Sequence, residues 1–151
     1  MRVSNIVIRE ARGEDLARVL ELYREGGIDA GESFSPEEAR AQLEGFRQYP
    51  SYRVFVAEFE GEIVGTYELL IMDNLAKRGQ KSATVEDVTV ATKYRGRGIG
   101  RAMMQHALQL AKDARCYKLA LSSNLSREDA HAFYEGLGFE KHGYSFRVEI
   151  V

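Results

Sequence analysis

Three glycines and three arginines fall within seven residues, Arg95-Gly96-Arg97-Gly98-Ile99-Gly100-Arg101. Glycine leaves the backbone free to approach a ligand closely. The segment follows a run that reads as a strand and opens one that reads as a helix. The first helical N–H groups there point outward without partners, and the helix dipole favours an anion. Guanidinium groups fork onto phosphate oxygens. The chemistry this predicts is a phosphate or pyrophosphate site. Two common phosphate motifs are excluded. A Walker loop ends in Gly-Lys-Ser/Thr, whereas Gly100 is followed by Arg101-Ala102. A dinucleotide fingerprint needs glycine at its sixth position, which is Arg101 counted from Gly96 and Met103 counted from Gly98.

The elements that must position this loop are legible in the pattern. Alternation around Ile6 and Ile8 predicts a short first strand. Leu16, Val19, Leu20 and Tyr23 share one face of a helix over Asp15 to Glu25, stopped by Gly26-Gly27. Ser35-Pro36-Glu37-Glu38 predicts a second helix to about Phe46, with Ser35 and Glu38 forming a capping box and Pro36 at the first helical position. The runs Tyr52 to Phe59 and Glu62 to Met72, joined by Glu60-Gly61, predict an antiparallel hairpin. Strands are expected over Ala83 to Val90 and Tyr117 to Ser122. A long helix is expected over Ile99 to Arg115, with Met103, Ala107, Leu110, Ala111 and Ala114 as its apolar stripe. A short helix follows over Arg127 to Glu135, and Phe139 and Tyr144 to Ile150 are expected to supply the last strands. The order predicts a mixed α/β sheet protein.

Composition bounds the rest. The chain has 151 residues, 44% apolar and 29% charged, which is globular composition. With 2 prolines and no repeat or linker, a single domain spanning residues 1–151 is expected. A net charge of -2 excludes a global basic field for nucleic acid. One cysteine makes neither a disulfide framework nor a cysteine-rich zinc site, and three scattered histidines lack ligand spacing, so no metal is expected. No apolar run has membrane-spanning length, and the first residues lack a signal peptide's apolar stretch, so a cytoplasmic location is expected.

Arg95, Gly98 and Gly100 match the Arg/Gln-x-x-Gly-x-Gly/Ala signature of the GNAT superfamily of acetyl-CoA-dependent N-acetyltransferases. Ala130-His131-Ala132-Phe133-Tyr134-Glu135-Gly136-Leu137-Gly138-Phe139 resembles that superfamily's later motif, a short helix with a tyrosine followed by Gly-Phe. The resemblance covers essentially the whole chain. It implies a mostly antiparallel mixed sheet of about six to seven strands with about four helices, in which a parallel pair splays apart. Acetyl-CoA, as co-substrate, would enter that gap. Its pantetheine would lie along Val88, Thr89 and Val90, and its pyrophosphate on the amides of Arg95, Gly96, Arg97, Gly98, Ile99, Gly100 and Arg101. Asn124 and Tyr134 would contact it near the thioester. The family often carries an asparagine where this chain has Arg127, so either Asn124 or Arg127 fills that role.

Acetyl transfer to an amine poses two proton problems. A lysine-type amine, of pKa ~10.4, must lose a proton before it attacks. The resemblance favours Glu86 as base. Asp87 is its neighbour, and adjacent strand residues face opposite sides unless a bulge intervenes. Asp87 instead could bind the amine, and a water chain is a third route for the proton. Tyr134 matches the family tyrosine that protonates the departing thiolate; its phenol is protonated at neutral pH. His131 and Cys116 read as packed side chains, and His106 and His142 carry no signal.

The resemblance implies an acceptor amine on a small molecule or peptide. Residues 26–52, 73–82 and 141–145 are expected to frame it. Asp29 and Glu32 would attract a cation, while Arg127 and Lys141 would meet an anion. Stretches near residues 85–96 and 116–118 are similar to glucosamine-phosphate N-acetyltransferases, and those near 123–134 to aminoalkylphosphonate N-acetyltransferases. The resemblance also implies a homodimer. The alternative of another class is a non-catalytic acyl-CoA-binding or regulatory module on the same fold, which would need the loop but neither Glu86 nor Tyr134.

Overall fold

A computed structural model describes residues 5–29 and 31–150. The chain divides into two compact units at Ala120/Leu121. The larger holds β1 (Ile6–Glu10), α1 (Leu16–Glu25), α2 (Pro36–Gly45), β2 (Tyr52–Phe59), β3 (Glu62–Met72), β4 (Ser82–Val90), α3 (Ile99–Asp113) and β5 (Lys118–Ala120). The smaller holds α4 (Glu128–Gly136).

The sheet runs β1-β2-β3-β4-β5, antiparallel through β4, with β4 and β5 parallel. The β2–β3 hairpin forms where its turn residues allow. Glu60 and Gly61 both take positive φ, +51° and +79°, whose twist matches that of the flanking strands. At the start of α2, Ser35 Oγ accepts from the Glu38 N–H at 3.2 Å and Glu38 Oε1 accepts from the Ser35 N–H at 3.0 Å. This is the expected capping box, and it leaves two otherwise orphaned donors satisfied.

Register sorts the side chains between two faces. On β3, Gly65, Tyr67, Leu69 and Ile71 share one face and Thr66, Glu68 and Leu70 the other. Helix α3 covers the first. A Cβ on Gly65 would stand 3.1 Å from Met103 Sδ and 3.2 Å from Ile99 Cγ2, so glycine permits that close approach. On the same face the buried Tyr67 hydroxyl lies 2.7 Å from His106 Nδ1, and Phe55 stacks on the Tyr67 ring. Helix α1 covers the second face and packs Leu16 and Leu20 against Ala39 of α2. Arg9 donates to both oxygens of the buried Asp15 at 2.7 and 3.0 Å and to Glu58 at 3.2 Å, tying the turn before α1 to the sheet. That clamp holds the Asp15 carboxyl below the usual carboxylate range.

The last strands expected from sequence do not form. Among the described residues the sheet has five strands rather than six or seven, and β5 is three residues long. No strand includes Phe139 or residues 144–150. Tyr144, Phe146, Val148 and Ile150 are 79–92% exposed. Alternation makes a segment able to pair; it supplies no partner edge, and an unpartnered strand is not stable alone.

Candidate active site

The parallel ladder between β4 and β5 covers only Ser82 to Thr84, paired with Lys118 to Ala120. From Val85 onward, the edge of β4 turned away from β3 has no strand beside it in the described sheet. Along Val88, Thr89 and Val90 the N–H and C=O groups alternate between the two edges; the Ala91 N–H bonds the Val64 carbonyl oxygen of β3, so the groups of Val90 face the open edge, where an extended ligand can add as a strand.

That same strand carries a bulge. Glu68 pairs with Glu86 and Thr66 with Thr89, so Asp87 and Val88 together stand opposite Tyr67. Asp87 takes φ +51°, a left-handed conformation that aspartate tolerates better than most side chains. The extra residue answers the question left by the adjacent carboxylates. Glu86 faces the α1 side by register, opposite Glu68, and Asp87 stands near enough to Glu68 and Tyr23 for its charge to act on both.

Glu68 was not anticipated as a site residue. It is 7% exposed. Its two oxygens accept from Tyr23 OH at 3.2 Å and from Tyr52 OH at 2.8 Å, so α1, β2 and β3 converge on it. Burial raises the Glu68 carboxyl above its usual range, opposed by the phenol hydrogen bonds and reinforced by the charges of Asp87 and Glu86. Glu86 is exposed on the strand, and its carboxyl is raised by partial desolvation and then by Asp87. Asp87 is raised, chiefly by burial and further by the charge of Asp29. Both phenols are pushed well above their normal range, chiefly by burial. A sequence signal for Glu68 existed: it is the one charged residue inside the run Ile63 to Met72.

The end of α1 closes over this part of β4. Gly26 caps α1, and a Cβ there would stand 2.8 Å from Thr89 Cγ2 and 3.2 Å from the Leu22 carbonyl oxygen. Gly26→Ala is expected to cost about 1–3 kcal/mol, because β4 or the helix end must shift. Urea unfolding measures it; an unchanged midpoint would show that the helix end moves aside freely.

The glycine-rich loop is built as its residues require. Gly96 and Gly98 take φ +75° and +86°, and Gly98 begins α3 with no side-chain cap. The first N–H groups of α3 therefore face outward for an anion, and nothing lies within 4 Å of a Cβ on Gly96. This is a cradle that fits a pyrophosphate. Ile99 contributes only backbone, since its side chain is buried. Arg95 and Arg101 are exposed, and the guanidinium of Arg97 lies 5.4 Å from the Tyr94 ring centroid. Tyr94 is itself held by Glu62, to which its hydroxyl donates at 2.9 Å.

Within residues 121–150, Asn124 closes the turn before α4. Its Oδ1 accepts from Ser126 N–H at 2.9 Å and from Ser126 Oγ at 2.8 Å. Arg127 is the residue before α4 and makes no side-chain cap. His131 Nε2 meets the Asn124 carbonyl oxygen at 2.8 Å, which fixes the hydrogen on that nitrogen and gives His131 a local structural partner. Tyr134 packs edge-on against Phe139 with ring centroids 5.7 Å apart, and burial raises its phenol. Lys141 is paired with Glu135 at 3.1 Å. Cys116, in the larger unit, is partly buried with its thiol pushed up by that burial, so it is a poor nucleophile.

The mixed sheet with its parting parallel pair and flanking helices is the N-acetyltransferase fold expected from the sequence. The chain belongs to the Acetyltransferase (GNAT) family, whose profile matches residues 12–139. It is 34% identical over 98 residues to a glucosamine 6-phosphate N-acetyltransferase from Trypanosoma brucei brucei, 65% of each chain. It is 29% identical over 144 residues to a thialysine N-epsilon-acetyltransferase from Bos taurus, 88% of this chain and 83% of that one. A solved structure of a putative acetyltransferase from Agrobacterium tumefaciens str. C58 superimposes with a TM-score of 0.87 at 33% identity, covering 95% of this chain and 99% of that one. The matched stretch spans under two thirds of the trypanosome enzyme's length.

Proposed function

We propose that the protein moves an acetyl group from acetyl-CoA to a primary amine of a small molecule or peptide, by direct transfer in a ternary complex. The observation that carries this reading is the bulge at Asp87. It gathers carboxyl groups on one face of the strand whose free edge would bind the pantetheine. Relatives named for the acetylation of glucosamine 6-phosphate and of thialysine support an amine as acceptor.

In this reading the amides of Arg95 to Arg101 hold the pyrophosphate, and Arg95, Arg97 and Arg101 add charge to it. Val88 to Val90 bind the pantetheine through backbone groups. Glu86, raised by its surroundings toward the working pH, takes a proton from the ammonium directly or through water. The amine nitrogen then bonds to the thioester carbonyl carbon, the carbon–sulfur bond breaks as Tyr134 gives its proton to the departing sulfur, and the second ammonium proton leaves the nitrogen through water and restores the phenol. Asp87 orients the amine. The profile match, running from residue 12 to 139, supports one functional domain across both compact units. The exposed alternating run 144–150 supports a homodimer, which light scattering would test. Among the described residues no helix is long and apolar enough to cross a membrane.

The test is thiol release from acetyl-CoA against a panel of amines, with calorimetric titration of acetyl-CoA alongside. Stimulated release by one amine class supports the transferase. Tight acetyl-CoA binding without release from any amine favours a binding module. Absence of binding overturns the reading of the loop.

A further inference from the structure

We propose that Gly65 is a positioning residue for the acetyl-CoA site: the side chain it lacks sets where the pyrophosphate cradle stands relative to the open edge of β4. This rests on the transferase reading and deepens its cofactor site. Gly65 is not among the glycines with positive φ, so its backbone does not call for glycine. The space above it does. A Cβ there would lie 3.2 Å from Ile99 Cγ2, 3.1 Å from Met103 Sδ and 3.2 Å from Met103 Cε. Ile99 and Met103 are both fully buried, so neither can swing out to solvent. The two differ in how they give way. Met103 ends in a flexible thioether that can rotate aside. Ile99 is β-branched and held to one rotamer in a helix, so its Cγ2 moves only with its backbone. That backbone is the first residue of α3, and its N–H belongs to the cradle.

The same stretch of β3 also holds the end of β4. The Val64 carbonyl oxygen accepts the Ala91 N–H at 2.8 Å, and Gly65 is the ladder partner of Val90, whose own groups face the open edge. Two adjacent residues of β3 thus locate the last residues of β4 and the first turn of α3 together. Further along α3, the Tyr67 hydroxyl and His106 Nδ1, 2.7 Å apart, tie the same helix to the same strand. A push at Gly65 therefore tilts the first turn of α3 instead of sliding the whole helix. Acetyl-CoA spans both parts of the site, its pantetheine on β4 and its pyrophosphate on α3. A shift of a few tenths of an ångström at Ile99 then costs affinity for a donor that reaches the cradle and spares one that does not.

The experiment titrates acetyl-CoA, and S-acetylpantetheine, which lacks the pyrophosphate, into the full chain and into Gly65→Ala by calorimetry. The variant is expected to bind acetyl-CoA about tenfold more weakly and S-acetylpantetheine within about threefold of wild type. Equal loss for both donors, or loss for neither, would overturn the assignment, because general damage to the fold does not distinguish them. If Gly65→Ala does not fold, Tyr67→Phe decides. It keeps the ring that stacks on Phe55 and removes the hydroxyl that ties β3 to His106. It is expected to weaken acetyl-CoA about threefold and to leave S-acetylpantetheine unchanged. An unchanged acetyl-CoA affinity in that variant, or a loss shared by both donors, overturns the proposal. A wild-type chain that binds the two donors equally well would overturn the reading of the loop instead, a result that is read before any variant is made.

Discussion

Tyr134→Phe is expected to lower kcat by about 10²–10³-fold while leaving acetyl-CoA affinity within about threefold. The substitution keeps the ring, so the edge-on contact with Phe139 survives and α4 should not be disturbed. Only the proton is lost. Burial raises the Tyr134 phenol, so it is protonated throughout the neutral range and is a competent donor there. The departing group is a thiolate, whose conjugate acid resembles an ordinary thiol of pKa ~8.5. Below that value the sulfur gains most from a proton; above it the thiolate leaves without one. The deficit of the variant is therefore expected to narrow as pH rises past ~8.5. A kcat equal to wild type would remove Tyr134 from the chemistry. A weakened acetyl-CoA affinity with unchanged kcat would make it a binding residue.

Much of the scaffold that carries these groups is written in local chemistry. The hairpin matches its expected limits because Glu60-Gly61 can take positive φ and both flanking runs are rich in β-formers. The start of α2 follows from Ser35, Pro36 and Glu38. The anion-binding loop follows from glycine positions that Gly96 and Gly98 use as left-handed residues. Two features were not legible. The bulge at Asp87 is a mismatch in count between two strands, and no residue type announces it; period-two alternation alone places Glu86 and Asp87 on opposite faces. Glu68 was visible as a residue but not as a site. A carboxylate on a strand is ordinarily solvated, and only the convergence of Tyr23 and Tyr52 from distant segments makes this one buried. The run at 144–150 failed for the opposite reason. Its period is strong, but a strand also needs an edge to pair with, which a period cannot specify.

Glu86→Gln is expected to reduce kcat/KM by about 10²–10⁴-fold at neutral pH. The base must be ionised to act. Partial desolvation and the neighbouring Asp87 raise the Glu86 carboxyl, so wild-type activity should fall with acid along a limb lying above the ordinary glutamate value of ~4.3. That limb should vanish in the variant, whose rate then depends on amine already deprotonated in solution. Because an alkylamine has a pKa of ~10.4, the free-amine fraction grows with pH and the deficit should shrink toward alkaline conditions. Stability supplies the control. A carboxyl raised in the folded state binds its proton more tightly there than in the unfolded chain. Its contribution to folding is thus present below the unfolded pKa and is lost as pH rises through the folded one. At pH 8 the glutamine variant should accordingly be no less stable than wild type, so a rate loss cannot be ascribed to unfolding. A deficit that stays constant across the pH range would assign Glu86 to positioning and leave proton removal to Asp87 or to water.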